Sequence, residues 1–293
     1  MNELILIDFS WLYNKYYFVA SYSTLQENEG TKPEGEVEIN LYRMLSQFLK
    51  LINKSYPNAK IFCVMDSPTS TLKNKEIFEG YKQNRDKEAK KEIYAPLNKI
   101  VGEMSKVLNS DKFSFLKAPS YEADQVIACT VKKFYNKYKV IIFSGDKDLI
   151  QLTSYPNTYI SDKFEKGQFI IKEDKELFEK FKNSKKEDFT RISTNKRDIL
   201  KYRSLKGDTS DNLSPVFPRI KDKEIVDIIK NYWIDDQGEY LTIERISDII
   251  DDVRGDNKLL AEKLEANKDV WLRNYKVMDL LHVDDIKVKR LGR

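Results

Sequence analysis

The chain has 293 residues, with 51 Lys and Arg against 47 Asp and Glu, a net charge of +4 and 41% apolar residues. That length suggests about two domains and supports a sizeable core. Apolar runs such as residues 140–143 fall far short of the roughly 20 residues a membrane-spanning helix needs, and a protein that only gripped polyanions is expected to be more basic.

Taken in chain order, residues 4–7, 61–65 and 140–143 predict buried strands, with shorter ones at 113–116 and 158–160. Helical patterns separate them, which is the signature of a parallel sheet covered on both faces. Residues 23–36 read as a loop. A helix is expected over 120–138 from the stripe Val126, Ile127, Val131, Phe134, Tyr135 and Tyr138. Beyond about residue 184 the pattern is helical, with candidates at 187–205, 222–233, 242–253 and 257–266. Lys287, Lys289, Arg290 and Arg293 predict a mobile basic tail.

Glu3 and Asp8 come too early for a signal peptide, so a cytoplasmic location is expected. Cys63 and Cys129 lie in apolar runs and read as core thiols rather than a disulfide framework. The single histidine, His282, excludes zinc sites of the HExxH type, and no nucleophile motif supports a serine or cysteine triad. The chemistry is left to carboxylates, lysines and tyrosines.

Each of the three long strands ends in an aspartate: Asp8, Asp66 and Asp146. Ligands of open parallel sheets bind at the carboxyl ends of the strands, so these acids are expected to converge there. Their repulsion requires cations, and hard oxygen ligands suit Mg²⁺ or Mn²⁺. Asp148, the Glu122 and Asp124 pair, and Asp208 with Asp211 in a turn-rich segment bring the set to eight. That number suits two ions and their outer shell. Singly, each has a plainer reading as a helix cap, turn former or first-turn acid. The set favours a metal site.

The blocks LIDFS, VMDSP, EGYKQNR, SYEAD, FSGDKD and LKGDTSDN, in that order from the first residues to about Asn212, resemble the 5′-nuclease or flap endonuclease family. This family includes phage-type 5′-3′ exonucleases, primer-removing ribonucleases H and the 5′-nuclease domain of bacterial DNA polymerase I. The resemblance implies an α/β, PIN-like parallel-sheet nuclease core over residues 1–185, with a helical arch at about 70–99. A mostly helical DNA-binding region of helix-three-turn-helix type follows over 186–293. It also implies an Mg-dependent two-metal phosphodiester hydrolase, with Mn²⁺ as a substitute ion. Its work would be in replication and repair, on branched or 5′-flap DNA and RNA–DNA primer hybrids. The resemblance further implies a monomer whose protein partners are a single-strand-binding protein or polymerase of the replication machinery.

By this resemblance Asp8, Asp66, Glu122 and Asp124 attend one ion, and Asp146, Asp148, Asp208 and Asp211 the other. Residues 73–99 carry eight basic and five acidic residues and would otherwise read as an exposed, ion-paired helix. The resemblance makes them the arch, with Lys82 and Arg85 as catalytic cations on the scissile phosphate and Tyr81 beside them. Lys15 is a further nucleic-acid contact. Tyr13, Tyr16, Tyr17 and Phe18 read mainly as packing residues, with stacking on bases as the second reading.

Two departures mark this chain. Gln125 stands where many bacterial relatives have a third acid. Leu213 to Arg219 replaces a Gly-x-Gly hairpin whose amides grip duplex phosphates, and Pro215 and Pro218 have no N–H to offer. Arg219, Lys221 and Lys223 are the candidate substitutes. Two rival readings remain: a catalytically inert nucleic-acid-binding scaffold, and a PIN-type endoribonuclease.

Overall fold

Alternation along the first strand sends Leu4 and Leu6 to one apolar core and Ile5 and Ile7 to another, all of them buried. This computed structural model describes residues 1–27, 35–86, 93–108, 112–172, 196–234 and 240–291. Strand β1 (Asn2–Asp8) runs straight into helix α1 (Phe9–Glu27), followed by α2 (Glu36–Ser55), β2 (Lys60–Val64) and α3 (Leu72–Ile77). Next come α4 (Leu97–Leu108), β3 (Phe113–Lys117), α5 (Ala123–Phe134) and β4 (Tyr138–Phe143). A 3-10 turn (Asp148–Ser154), β5 (Thr158–Ser161) and the small hairpin of β6 (Phe164–Glu165) and β7 (Gln168–Phe169) complete the sheet region.

The main sheet has the order β5-β4-β1-β2-β3 plus one further strand, and these five are all parallel. The chain moves from β1 outward through β2 to β3, then returns to place β4 on the other side of β1. The topological switch therefore lies between β1 and β4, and Asp8 and Asp146 stand at its carboxyl end. One face is covered by α1, α2 and α4 through Leu12, Leu41, Leu45, Leu49 and Ile100. The other is covered by α5 through Val126, Ile127 and Val131. The expected parallel sheet with two covered faces is what the chain builds.

The helices of the second half are α6 (Asp198–Lys206), α7 (Asp222–Asp227) with a π turn (Ile228–Tyr232), α8 (Ile243–Asp256), α9 (Lys258–Glu265) and α10 (Lys268–Met278). Ile199, Leu205, Ile225, Ile249 and Trp271 share one continuous apolar cluster with Val126 and Leu6. The boundary expected at 185 and 186 lies outside the described residues, as does the first part of the helix expected over 187–205. Helix α10 was not anticipated. Its buried Trp271, Tyr275 and Met278 are interrupted by charged residues, which weakens the sequence stripe.

Three expectations need correction. The basic tail is not wholly mobile surface: Lys289–Leu291 forms strand β8, antiparallel to β3, and Arg290 donates to the Phe113 carbonyl at 3.2 Å. The open edge of β3 offers unpaired backbone groups, and the tail satisfies them. Residues 23–27 of the expected loop are the last turns of α1. Finally, 73–99 is not one exposed helix. After α3, residues 79–84 fold as turns that carry Tyr81 into the core at 3% exposure. Among the described residues no helix is long and apolar enough to cross a membrane.

A carboxylate cleft at the switch point

The cleft is built by strand ends and one helix mouth. Asp8 ends β1, Asp66 follows β2 and Asp146 follows β4. Glu122 is the N-cap of α5, and Asp124 sits in that helix's first turn. Acids two positions apart on a helix diverge, but at the mouth both reach one space. All five line a cavity of about 210 Å³, together with Lys82 and Arg85. The remaining lining comes from Ser10, Trp11, Asn14, Tyr94 and Ala123.

Each acid is held by short bonds. Asp8 accepts from Trp11 N at 3.0 Å and Ser144 Oγ at 2.8 Å. Asp66 accepts from Ala123 N at 2.9 Å, and its own N–H donates to Ser10 Oγ at 2.9 Å. Asp146 takes the Asp148 N–H at 2.9 Å. Glu122 accepts from Asn74 Nδ2 at 3.0 Å and Tyr81 OH at 2.7 Å, and forms an ion pair with Lys82.

The other three acids form an adjoining tier. Asp211 pairs with Arg85 at 2.6 Å and stands 3.7 Å from Lys82 Nζ. Arg203 Nη2 reaches Asp148 Oδ1 at 2.9 Å and Asp208 Oδ2 at 2.7 Å. The turn carrying Lys82 is bound to the Asp208–Asn212 segment: Lys82 N donates to Asp211 O at 3.0 Å and Asn84 Nδ2 to Thr209 O at 2.7 Å. Lys82 itself has φ 55°, a left-handed backbone that aims its side chain inward.

The crowding leaves an electrostatic signature. Burial, aided by Asp146 and Asp66, pushes the Asp8 carboxyl up to about 7 against the bonds from Trp11 and Ser144. Burial and Glu122 raise Asp124 well above the usual carboxylate range. Asp148 rises to about 6, chiefly through burial, although Arg203 opposes it. Burial would raise Asp208 as well, but Ser210 and Arg203 outweigh it and hold that carboxyl low. Burial pulls the Lys82 ammonium down, yet Glu122, Asp211 and Asp124 outweigh it and hold the group above its ordinary value.

Among the described residues no three His, Cys, Asp or Glu side chains are drawn into metal-ligating geometry. Lys82, Arg85 and Arg203 form ion pairs with four of the eight acids, Glu122, Asp211, Asp148 and Asp208. The donor set nonetheless fits a hard divalent cation, being all oxygen and gathered in one cavity, with Asp8, Asp124 and Asp148 held above the usual carboxylate range by burial.

Of the other predicted residues, Lys15 is exposed one turn along α1, with its Nζ 5.0 Å from the Trp11 ring. Arg219, Lys221 and Lys223 lie exposed at the entry to α7, and Lys221 caps that helix. The Pro-containing segment is turned inward. Val216 and Phe217 are buried, Val216 N donates to Leu205 O at 2.9 Å, and the Ser214 carbonyl takes a bond from Asn274 at 2.8 Å. Tyr13 is buried, while Phe18 is exposed. Sequence reasoning missed Ser10, Trp11, Asn14, Asn74, Tyr94, Ser144 and Arg203. Their common signal is position, one to six residues from a strand-end or motif acid in most cases, but only contact reveals which of them face the cleft.

Fold and site together define an α/β protein of PIN-like architecture with an acidic cleft at its switch point. Residues 3–182 match the family model of the 5′-3′ exonuclease N-terminal resolvase-like domain, and the chain belongs to that family. A 5′-3′ exonuclease of Aquifex aeolicus is 28% identical, over 99% of this chain and 88% of its own length. One from Buchnera aphidicola subsp. Baizongia pistaciae is 29% identical, over 79% of this chain and 67% of its own. DNA polymerase I of Bacillus subtilis is 24% identical over 99% of this chain, which spans 29% of that protein. Among solved structures, T5 5′-exonuclease with bound zinc matches with TM-score 0.61 and 18% identity, over 96% of this chain and 90% of that one. The T5 flap endonuclease in a pseudo-enzyme–product complex with DNA and metal ions matches with TM-score 0.62, 18% identity and the same coverage.

Proposed function

We propose that this chain is a divalent-cation-dependent, structure-specific 5′-nuclease, hydrolysing phosphodiester bonds near 5′ ends of flapped or branched DNA and RNA–DNA primer junctions. The observation that supports it above all is the meeting of five carboxylates with Lys82 and Arg85 in one cavity at the sheet's switch point. Mg²⁺ is the working ion in this reading, with two bound per site and Mn²⁺ as a substitute. Asp8, Asp66, Glu122 and Asp124 hold one, while Asp146, Asp148, Asp208 and Asp211 attend the other, some of them through water. Bound there, such cations supply Lewis acidity that activates a water and stabilises the leaving oxygen of an in-line displacement.

The chain's own residues do the rest. Lys82 and Arg85 leave Glu122 and Asp211 for the scissile phosphate, where preplaced positive charge matters most as negative charge develops. Tyr81, packed beneath Lys82 with the ammonium 4.8 Å from its ring, fixes where that lysine starts. Lys15 and the exposed Arg219, Lys221 and Lys223 bind backbone phosphates away from the cut. Residues 1–185 form the catalytic core, and 186–293 the duplex-binding region of a monomer acting in the cytoplasm.

A labelled 5′-flap duplex with Mg²⁺ tests this directly. Cleavage near the junction, abolished by EDTA and by Asp146→Asn with flap binding retained, is the expected result. Undiminished turnover of that variant overturns the assignment. Binding without cutting by the wild type supports the inert scaffold, and preference for free RNA the endoribonuclease.

A further inference from the structure

Glu122 divides its two oxygens between different kinds of partner. Oε1 meets the charged Lys82, whereas Oε2 accepts from two neutral donors, Asn74 Nδ2 at 3.0 Å and Tyr81 OH at 2.7 Å. Asn74 lies on α3, 2% exposed, and belongs to none of the acidic motifs.

Its amide has only one workable orientation. Glu122 N donates to Gln125 Oε1 at 3.0 Å, Gln125 Nε2 donates to Asn74 Oδ1 at 3.1 Å, and Asn74 Nδ2 donates to Glu122 Oε2. These three bonds close a ring of fixed polarity, and turning either amide over breaks two of them. An acid at 125 would still accept from Glu122 N, but it could not donate to Asn74 Oδ1. Glutamine at this place is what completes the ring, and it does so without adding a like charge beside Glu122.

We propose that Asn74, locked by Gln125, is a positioning residue for Glu122: it holds Oε2 so that Oε1 alone exchanges between Lys82 and a divalent cation. The inference rests on the reading of Glu122 as a cation ligand. Outer-sphere partners of ligating carboxylates commonly set metal affinity in this way. Asn74 and Gln125 also line a separate cavity of about 440 Å³ behind the helix mouth, which gives replacement side chains room.

The test is Mn²⁺ binding to the DNA-free 293-residue chain, followed by electron paramagnetic resonance, beside flap-cleavage kinetics and thermal melts. Asn74→Leu is expected to fold and to weaken Mn²⁺ binding about ten-fold or more, as loss of an outer-sphere partner does. It should lower kcat with little change in KM. Gln125→Leu should act in the same direction but less, and the double variant should be no worse than Asn74→Leu, since one ring is broken either way. Glu122→Gln is the control. If it leaves Mn²⁺ affinity unchanged, the ligand reading fails. If it weakens binding while folded Asn74→Leu matches wild type, the positioning role alone is overturned. Should Asn74→Leu not fold, Gln125→Leu decides, and wild-type affinity in that variant overturns the proposal.

Discussion

A Cβ placed on Gly145 would fall 2.6 Å from Trp11 Nε1, so the loop after β4 and the first turn of α1 fit together only because 145 has no side chain. Gly145 lies between Ser144, which holds Asp8, and Asp146. Trp11 in turn has its ring edge-on to Phe143 at 5.5 Å and cannot retreat without losing that contact. Gly145→Ala is therefore expected to displace Asp146 or the indole by a fraction of an ångström to an ångström. Misplacement on this scale costs on the order of 10- to 100-fold in rate. Single-turnover flap cleavage should show that loss with a melting temperature close to wild type. Full activity would mean that the wall of the cleft tolerates a shift here.

Protonation of the cation-free cleft should make stability fall as pH rises. The folded chain holds the Asp8 proton up to about 7 and the Asp148 proton up to about 6, with Asp124 displaced the same way. In the unfolded chain these carboxyls ionise near pH 4, roughly their ordinary value. Between those limits the native state binds more protons, so unfolding free energy decreases with pH across that window. Asp208, held low, acts only beneath it. In EDTA the melting temperature is expected to drop from pH 5 to pH 8, and Asp8→Asn should flatten the drop. Saturating Mn²⁺, which binds the ionised native form, should remove it by mass action. A flat profile in EDTA would show that the acids are not forced together.

Much of this site was legible because its acids follow apolar strands. An apolar run followed closely by Asp marks both the strand and the end of it that faces the crevice, and the meeting of Asp8, Asp66 and Asp146 in one cavity was readable from that. Glu122 and Asp124 were readable as a pair at a helix mouth, since N-cap geometry is local. What stayed hidden depends on long-range contact. The descent of Tyr81 and Lys82 onto the Asp208–Asn212 segment spans some 130 positions, and no periodicity announces it. The β8 pairing had the same cause: a short basic stretch looks solvated until the free edge of β3 is placed beside it.

Lys82 is the residue whose removal should separate chemistry from binding. Its side chain is 12% exposed and faces Glu122 and Asp211, while Arg85 is 43% exposed and reaches only the Asp211 side. Lys82→Ala is expected to slow the chemical step by a factor on the order of 10² to 10³, the usual cost of losing a preorganised charge stabiliser. KM for the flap should change little. Pre-steady-state cleavage at saturating enzyme measures this, and a change confined to KM would make Lys82 a clamp.

Arg203 bridges Asp148 and Asp208, the pair to which the proposed function gives a divalent ion. One nitrogen serves both carboxylates, at 2.9 and 2.7 Å, and the three side chains are 15% to 19% exposed. Arg203→Met preserves most of the aliphatic length and leaves two crowded carboxylates with no guanidinium between them. Breaking such a buried pair costs about 3 to 5 kcal/mol when the remaining charge is left unpaired. In EDTA the variant should melt well below wild type. Added Mn²⁺ should recover more stability in Arg203→Met than in wild type, because there it replaces a missing charge instead of competing with one. The comparison is two melts per protein, with and without the ion. Equal Mn²⁺ gains in the two proteins would show that the Asp148 and Asp208 pair takes no part in cation binding, and that Arg203 serves only to fasten α6 to the loop after β4.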